Sequence, residues 1–192
     1  MAQPAPVPSA RKSELLERAY AYALAHGLGQ LSLRPLAAAI GSSPRVLLFL
    51  FGSKDDLVRA LLARARADEL AMLDALCRDH PGTDLAVAVM HVWRWLSDPH
   101  HRDLLALWVE GYGRSLVDPA GPWSAFARQS VADWLDVLSG YQPETTRSTP
   151  AAVTERTSAL ALLRGALLDL LATGDRKRTT AAVENSTMTG TM

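Results

Sequence analysis

The sequence predicts an all-α protein, with an N-terminal three-helix unit of the helix-turn-helix type and a larger helical region after it. Two observations lead to this prediction. Between residues 32 and 57, three short helical segments each carry their own start and stop signals. From residue 57 onward, apolar side chains recur every three or four residues, which is the spacing of one helix face.

The first two helices of this segment are delimited by capping residues. Ser32 is a candidate N-cap, and Pro35 lies in the first turn that follows, where a missing N–H is tolerated. Gly41 stands where a helix ends in the left-handed conformation. Ser43 then supplies a second N-cap, with Pro44 at the first helical position. The second helix therefore restarts within about three residues of the first, as a helix-turn-helix requires.

A long third helix is predicted from residue 54. Gly52 ends the preceding helix, and Ser53 with Asp56 three residues later forms a capping-box signature. The apolar spacing then persists to about Arg78. A helix of that length is on the order of 35 to 40 Å long, enough to join two domains rigidly.

One motif in this segment carries a family resemblance. The pattern G-x-S-x-x-x-L-x-x-x-F-x-S-K-x-x-L is formed by Gly41, Ser43, Leu47, Phe51, Ser53, Lys54 and Leu57. It resembles the N-terminal DNA-binding domain of the tetracycline-repressor (TetR) family of bacterial transcriptional regulators. An amphipathic helix that ends near Gly27 fits the first helix of that domain. The resemblance covers residues 10–66 and implies an all-helical, dimeric, ligand-binding C-terminal part.

We therefore expect four segments along the chain. They are a flexible N-terminal arm at 1–9, a helix-turn-helix DNA-binding domain at 10–66, a helical effector-binding and dimerisation domain at 67–178, and a frayed or disordered tail at 179–192. Within the third segment, helices are expected at 85–96, 101–117, 123–140 and 150–173, the second of them interrupted by Gly111 and Gly113.

The charge distribution agrees with this division. Residues 1–66 carry nine basic and four acidic side chains, a balance of +5, and because the whole chain is neutral the remainder carries −5. Such asymmetry favours a nucleic-acid-facing module joined to a neutral or acidic one. The alternative is an ordinary solvated helix surface.

The second helix of a helix-turn-helix enters the major groove, and flanking groups bind phosphate. Arg45 is the only long charged donor on that helix, so it is the candidate for reading bases. Lys54 and Arg34 stand near helix N-termini, where free N–H groups also attract phosphate. The residues expected on double-stranded DNA are Arg34, Ser42, Ser43, Arg45, Val46, Leu50 and Lys54.

The sequence departs from the family pattern on this helix. Leu48 and Leu50 stand where the family usually carries Tyr and His, which would contact phosphate. The resulting run V-L-L-F-L-F is too apolar to be buried entirely in a three-helix domain, so part of it is expected to be exposed. The exposed part would contact thymine methyl groups or another protein.

The helices at 123–140 and 150–173 are expected to form a dimer face, because the second is apolar over more than one core contact needs. The expected interface residues are Trp134, Leu138, Leu160, Leu163, Leu167 and Leu171. All five tryptophans lie in the C-terminal part, which favours either an apolar pocket or plain core. The residues expected to line a pocket for a small apolar effector are Met90, Trp93, Trp108, Glu110 and Tyr112.

The sequence carries no catalytic constellation, and we expect neither an enzyme nor a cofactor. His100 and His101, flanked by acidic residues, are a solvated loop or, as the weaker alternative, a metal site. No apolar run of about 18 residues is present, the N-terminus lacks the apolar segment of a signal peptide, and Cys77 is the single cysteine. These features favour a cytoplasmic protein without a membrane partner.

Together these observations predict a DNA-binding transcriptional regulator. It would act as a homodimer on a palindromic operator and be released by the effector, as a repressor. The alternative is a helical ligand-binding or protein-interaction dimer whose helix-turn-helix has lost DNA binding, and it is motivated by Leu48 and Leu50.

Overall fold

The computed structural model describes residues 10–29, 31–79 and 84–189, and within them the chain is all-α, as predicted. The helices are α1 (Ala10–His26), α2 (Leu33–Ala39), α3 (Pro44–Phe51), α4 (Lys54–Asp79), α5 (Leu85–Leu96), α6 (Arg102–Val117), α7 (Phe126–Ser139), α8 (Pro150–Thr173) and α9 (Arg176–Thr189). A short 3-10 helix, Pro99–His101, precedes α6. The expected N-terminal arm at 1–9 lies outside the described residues.

The predicted caps of the helix-turn-helix are confirmed. Helices α2 and α3 meet at 101°, and Gly41 between them has a φ of 67°. The Ser43 hydroxyl accepts a hydrogen bond from the Val46 amide at 3.3 Å. At the next boundary, the Asp56 amide donates to the Ser53 hydroxyl at 3.0 Å. Ser32 is also an N-cap residue, although its side chain makes no capping hydrogen bond.

Helix α4 runs through both halves of the molecule. It spans 26 residues, about 39 Å, and packs against α1 and α3 and also against α6 and α7. Its first half buries Leu57 and Leu61, and its second half buries Glu69 and Leu73. One contiguous core therefore extends from the helix-turn-helix unit to the C-terminal helices.

Helix α6 is continuous, so the predicted interruption at Gly111 and Gly113 is wrong. A helix tolerates glycine at a modest cost, and Gly111 has a packing role here. A Cβ added at Gly111 would meet Leu62 of α4 at 2.9 Å and Phe126 of α7 at 3.2 Å. The missing side chain therefore lets three helices approach closely.

The C-terminal segment forms helix α9, so the prediction of a frayed tail from residue 179 is wrong as far as residue 189, and residues 190–192 lie outside the described part. Helix α9 packs against α5 and α8. Thr179 and Val183 are buried on its inner face, and the Trp93 indole donates to the Thr180 hydroxyl at 2.9 Å. Because so few residues of α9 are buried, the segment shows almost no helical pattern of apolar residues, and the sequence did not predict the helix.

The residues expected at a dimer interface are instead core residues of this chain. The side chains with at most 5% exposure are Trp134, Leu138, Leu160, Leu163 and Leu167. Leu171 is half-buried against the same core. Because the helices of this chain already cover the first five side chains, their assignment to an interface is wrong, whereas the contact at the half-buried Leu171 stays a prediction.

No single helix among the described residues has the length and apolar composition to cross a membrane, and the bent pair α2 and α3 is the one combination there that passes that test.

We expect Gly111→Val to destabilise the protein by about 1 to 3 kcal/mol, because the new side chain overpacks the contact with Leu62 and Phe126. Gly113, two residues on, is the matched control: nothing lies within 4 Å of its added Cβ. Gly113→Val should therefore change stability by less than about 0.5 kcal/mol. Denaturant unfolding of both variants measures the difference, and equal stabilities would contradict the close packing of α6.

Candidate nucleic-acid interface and internal cavity

Three cations around the helix-turn-helix have no ionic partner. Arg34 on α2, Arg45 on α3 and Lys54 on α4 are exposed, and none forms an ion pair within the described part of the chain. The other arginines of the N-terminal unit do form ion pairs. The pairs are Arg11 and Arg18 with Glu14, Arg59 with Asp56, Arg64 with Glu17 and Asp68, and Arg66 with Asp133. Three of the residues predicted to contact DNA therefore carry positive charge that no ion pair offsets within the described residues.

Helix α3 also presents apolar side chains to solvent, as its composition predicted. Phe49 is 86% exposed and Leu48 is 41% exposed, while Leu47 and Phe51 point into the core. Val46, next to Arg45, is also exposed. Leu50 is half-buried and packs against the core, so it is less accessible than predicted.

The two serines before α3 have structural roles. The hydroxyl of Ser43 is occupied as the N-cap of α3. The Ser42 hydroxyl is buried, and the Ser42 amide donates to the Ala37 carbonyl at 2.8 Å. Neither polar group of Ser42 is accessible to a phosphate, so its predicted contact with DNA is wrong.

A small apolar cavity lies among the C-terminal helices. Its volume is about 30 Å³, roughly the space of one or two water molecules. The lining residues are Ala65, Glu69 and Met72 of α4, Trp95 and Leu96 of α5, Leu104, Leu105 and Trp108 of α6, Trp134 of α7, and Leu160, Leu163, Arg164 and Leu167 of α8. Of the five residues predicted to line a pocket, Trp108 is the one found there.

The other four predicted pocket residues lie outside this cavity. Trp93 is fully buried and bonded to α9, and Met90 packs at the edge of the core. The Tyr112 hydroxyl accepts a hydrogen bond from Nη1 of Arg164 at 3.0 Å, so Tyr112 supports a lining residue from behind. Glu110 lies at the contact between the two halves of the chain.

Glu110 binds the backbone of the helix-turn-helix unit. Its Oε2 accepts a hydrogen bond from the Leu28 amide at 2.8 Å, in the loop between α1 and α2. Its Oε1 accepts from Nε of Arg114, one turn further along α6. The carboxylate therefore connects α6 to the loop that precedes the helix-turn-helix. Sequence periodicity could not have assigned it there, because the contact spans 82 residues.

Two charged residues in the cavity wall were not predicted. Oε1 of Glu69 accepts hydrogen bonds from the Trp134 indole and the Ser130 hydroxyl, while its Oε2 is buried without a partner in the described residues. Burial raises the pKa of Glu69, and those two hydrogen bonds oppose the rise. Burial likewise lowers the pKa of Arg164. The available signal was a charged residue on an apolar helix face, such as Arg164 next to Leu163.

His100 and His101 lie in the 3-10 helix Pro99–His101, and each contacts a neighbouring side chain. His100 pairs with Asp98 at 2.8 Å, and the His101 ring stacks on Trp95 with centroids 3.8 Å apart. Among the residues with described positions, no group of three or more His, Cys, Asp or Glu side chains is placed to hold a metal ion.

Solved structures share this architecture, although no family model and no curated protein matches the chain. A transcriptional regulator from Rhodococcus sp. Rha1 has a TM-score of 0.73 at 20% identity, covering 92% of this chain and 94% of that one. A TetR transcription regulator from Haloarcula marismortui has a TM-score of 0.70 at 19% identity, covering 94% and 96%. The multidrug binding protein EbrR complexed with imidazole has a TM-score of 0.68 at 22% identity, covering 92% and 89%. The fold predicted from the helix-turn-helix motif is confirmed.

We expect Glu69→Gln to change how stability depends on pH. The pKa of Glu69 in the folded protein is raised above its ordinary value of 4.5, so wild type loses stability as the pH rises from there through the raised value. Glutamine keeps an oxygen for Trp134 and Ser130 but does not ionise. The variant should therefore melt at a higher temperature than wild type at about pH 8, and the difference should shrink toward about pH 4.

Thermal unfolding of both proteins across that pH range measures the effect. Glu184→Gln, on the exposed side of α9, is the matched control and should follow wild type at every pH. If Glu69→Gln also ran parallel to wild type, the buried carboxyl would not carry the pH dependence.

Proposed function

We propose that this chain, which has the fold of TetR-family transcriptional regulators, is a DNA-binding transcriptional regulator that works as a homodimer and leaves its operator when a small, largely apolar effector binds. The observation that carries the proposal is the placement of Arg34, Arg45 and Lys54. These exposed cations have no ionic partner in the described residues, and they surround a helix-turn-helix in which Ser43 caps α3 and Ser53 caps α4. Unpaired positive charge on that surface favours the phosphates of DNA.

The division of roles follows from position. Arg45 lies in the first turn of α3, the part of a recognition helix that meets base edges in the major groove. Lys54 is the first residue of α4, where its amine and the free N–H groups of the helix end would hold one phosphate together. The exposed Val46 and Phe49 suit thymine methyl groups rather than phosphate.

Selection of genomic fragments bound by the purified protein, at moderate salt, tests this function and identifies the operator. On that operator we expect Arg45→Ala to weaken specific binding by about 1 to 3 kcal/mol while leaving binding to random DNA nearly unchanged. Arg128→Ala is the control, because Arg128 is exposed on α7, away from the helix-turn-helix. Equal losses on both DNAs would make Arg45 a phosphate contact, and failure of wild type to select any fragment at low salt would contradict DNA binding.

A homodimer is supported by the outer faces of α8 and α9. On α8, opposite the buried leucines, small residues allow another helix to approach: nothing lies within 4 Å of a Cβ added at Gly165. Leu168 on the same face is 51% exposed, and Met188 of α9 is 86% exposed. We place the partner chain on this surface. A two-fold dimer presents two recognition helices and so requires a palindromic operator.

We expect Leu168→Glu to convert the dimer to a monomer, because a carboxylate in an apolar interface has no partner. Leu116→Glu is the control: Leu116 on α6 is 65% exposed and lies outside the proposed interface. Analytical ultracentrifugation of the two variants and wild type measures the difference. A wild-type monomer at micromolar concentration, or a dimer that survives Leu168→Glu, would contradict this interface.

Effector release is supported by the way the cavity is connected to the N-terminal unit. Helix α4 contributes Glu69 to the cavity wall and begins at the end of the helix-turn-helix, and α6 contributes Trp108. A cavity of about 30 Å³ is too small for an effector, so binding requires the lining side chains, or the helices that carry them, to move. EbrR, one of the proteins with this fold, is a multidrug binding protein with structures complexed with imidazole and with proflavin. Different affinities of the effector for two conformations would shift the equilibrium between them.

A second candidate function has the same fold but no DNA binding. The 86% exposure of Phe49, with Leu48 beside it, favours a protein-interaction dimer whose helix-turn-helix binds another protein. The fragment selection separates the two candidates, because this one requires that no DNA be retained at low salt.

A further inference from the structure

Arg164 of α8 has a bidentate hydrogen-bonding edge that no other described side chain uses. Its Nη1 donates to the Tyr112 hydroxyl, and its guanidinium carbon lies 4.8 Å from the Tyr112 ring centre and 5.5 Å from that of Trp108. These contacts hold the group in place. Its Nε and Nη2 are buried and have no hydrogen-bond partner in the described residues. These two atoms form the edge with which arginine binds a carboxylate side-on.

The same protein shows what that edge binds when a partner is available. Nε of Arg66 donates to Oδ2 of Asp133 at 2.7 Å, and Nη2 of Arg66 donates to Oδ1 at 2.8 Å. Arg66 is therefore bound side-on by one carboxylate. In Arg164 the equivalent two donors have no partner among the described residues. Arg164 is a residue of the cavity wall, and the carboxylate of Glu69 in that wall forms no ion pair with it.

Glu69 attracts Arg164 electrostatically but forms no ion pair with it, so the desolvation of the partly buried guanidinium is only partly compensated. The Trp108 indole in the same wall faces Glu69, and its N–H lowers the pKa of that carboxyl. The remaining lining is aromatic and aliphatic, from Trp95 and Leu160 among others. The wall thus combines one charged bidentate donor with an apolar surround.

We propose that the effector is an apolar monocarboxylic acid, whose carboxylate binds Nε and Nη2 of Arg164 and whose hydrocarbon or aromatic body lies among the tryptophans and leucines of the cavity. One negative charge matches the single guanidinium, whereas a phosphate would bring a second charge into an apolar site beside Glu69. A cation is disfavoured by Arg164 itself. The burial that raises the pKa of Glu69 also favours its neutral form beside a bound acid.

This inference rests on the proposed function only for the regulatory role of the ligand, because binding of the acid can be measured on the protein without DNA. The probes are 4-phenylbutyrate, 4-phenylbutanamide and 4-phenylbutylamine, which share one body and differ in the head group. Titration calorimetry on the intact protein should give an affinity for the acid that is at least about tenfold higher than the affinity for the amide. The amine should bind more weakly than the amide.

Substitutions at Arg164 test whether this side chain causes the preference for the acid. Arg164→Gln should remove the preference for acid over amide while leaving the amide affinity within about twofold, and Arg164→Lys should restore only part of it, because lysine lacks the bidentate edge. Arg128→Gln is the control, because Arg128 is an exposed arginine of α7 outside the cavity wall, and it should keep the preference. Circular dichroism shows whether each variant is folded. If a variant does not fold, the comparison of the three probes on wild type still tests the inference.

Three results would overturn the inference: an amide bound as tightly as the acid, an amine bound tightest, or no measurable binding of any probe. Persistence of the acid preference in folded Arg164→Gln would also do so. Any of these together with specific DNA binding would leave the regulator proposal intact. An acid preference that depends on Arg164, in a protein that selects no DNA, would keep this site and remove the proposed function.

Discussion

Helix α4 belongs to both halves of the protein, and the rest of the structure depends on that continuity. Its first turns bury Leu57 and Leu61 in the helix-turn-helix unit, and its later turns bury Glu69 and Leu73 among the C-terminal helices. A hydrogen-bonded helix transmits displacement because bending it sharply requires a break in its hydrogen-bond ladder. The cavity wall and the end of α3 are therefore fixed relative to each other, and neither half can move without a response from the other.

Two charged side chains, Glu69 and Arg164, lie in the wall of a cavity that is otherwise apolar. Apolar residues would pack there without any desolvation cost, whereas Glu69 and Arg164 leave buried donors and acceptors unmatched in the described residues. Stability alone does not favour such groups, since replacing buried ions with apolar side chains is often neutral or stabilising. Positions that break the local rule are the ones at which a function is expected. This departure from an apolar core is the reason for placing the proposed effector in this cavity.

The parts of the fold that were predictable are those determined locally. Capping residues such as Ser43 and Ser53 act within three residues of themselves, so the boundaries of α3 and α4 follow from the sequence. Helical periodicity shows that α8 has a broad apolar face but does not show which chain covers it, and Leu163 and Leu167 proved to be covered by their own chain. The polar wall of the cavity depends on helices more than sixty residues apart, such as the bond between Glu69 and Ser130. Helical spacing relates only residues a few positions apart, so it does not predict a contact between residues so far apart in the sequence.

Helix α6 links the cavity to the helix-turn-helix through its own geometry. Successive residues of a helix are rotated by about 100°, so Trp108 and Glu110 point roughly 200° apart. The first lies in the cavity wall, and the second accepts the Leu28 amide hydrogen of the N-terminal unit. Gly111, beside them, sets the close approach of α6 to α4 and α7. A molecule that enlarged the cavity by pushing on Trp108 would displace or rotate α6 and strain the Glu110 hydrogen bond. Because α4 also borders the cavity and packs against α3, a displacement there would reach the helix-turn-helix unit through both α4 and α6.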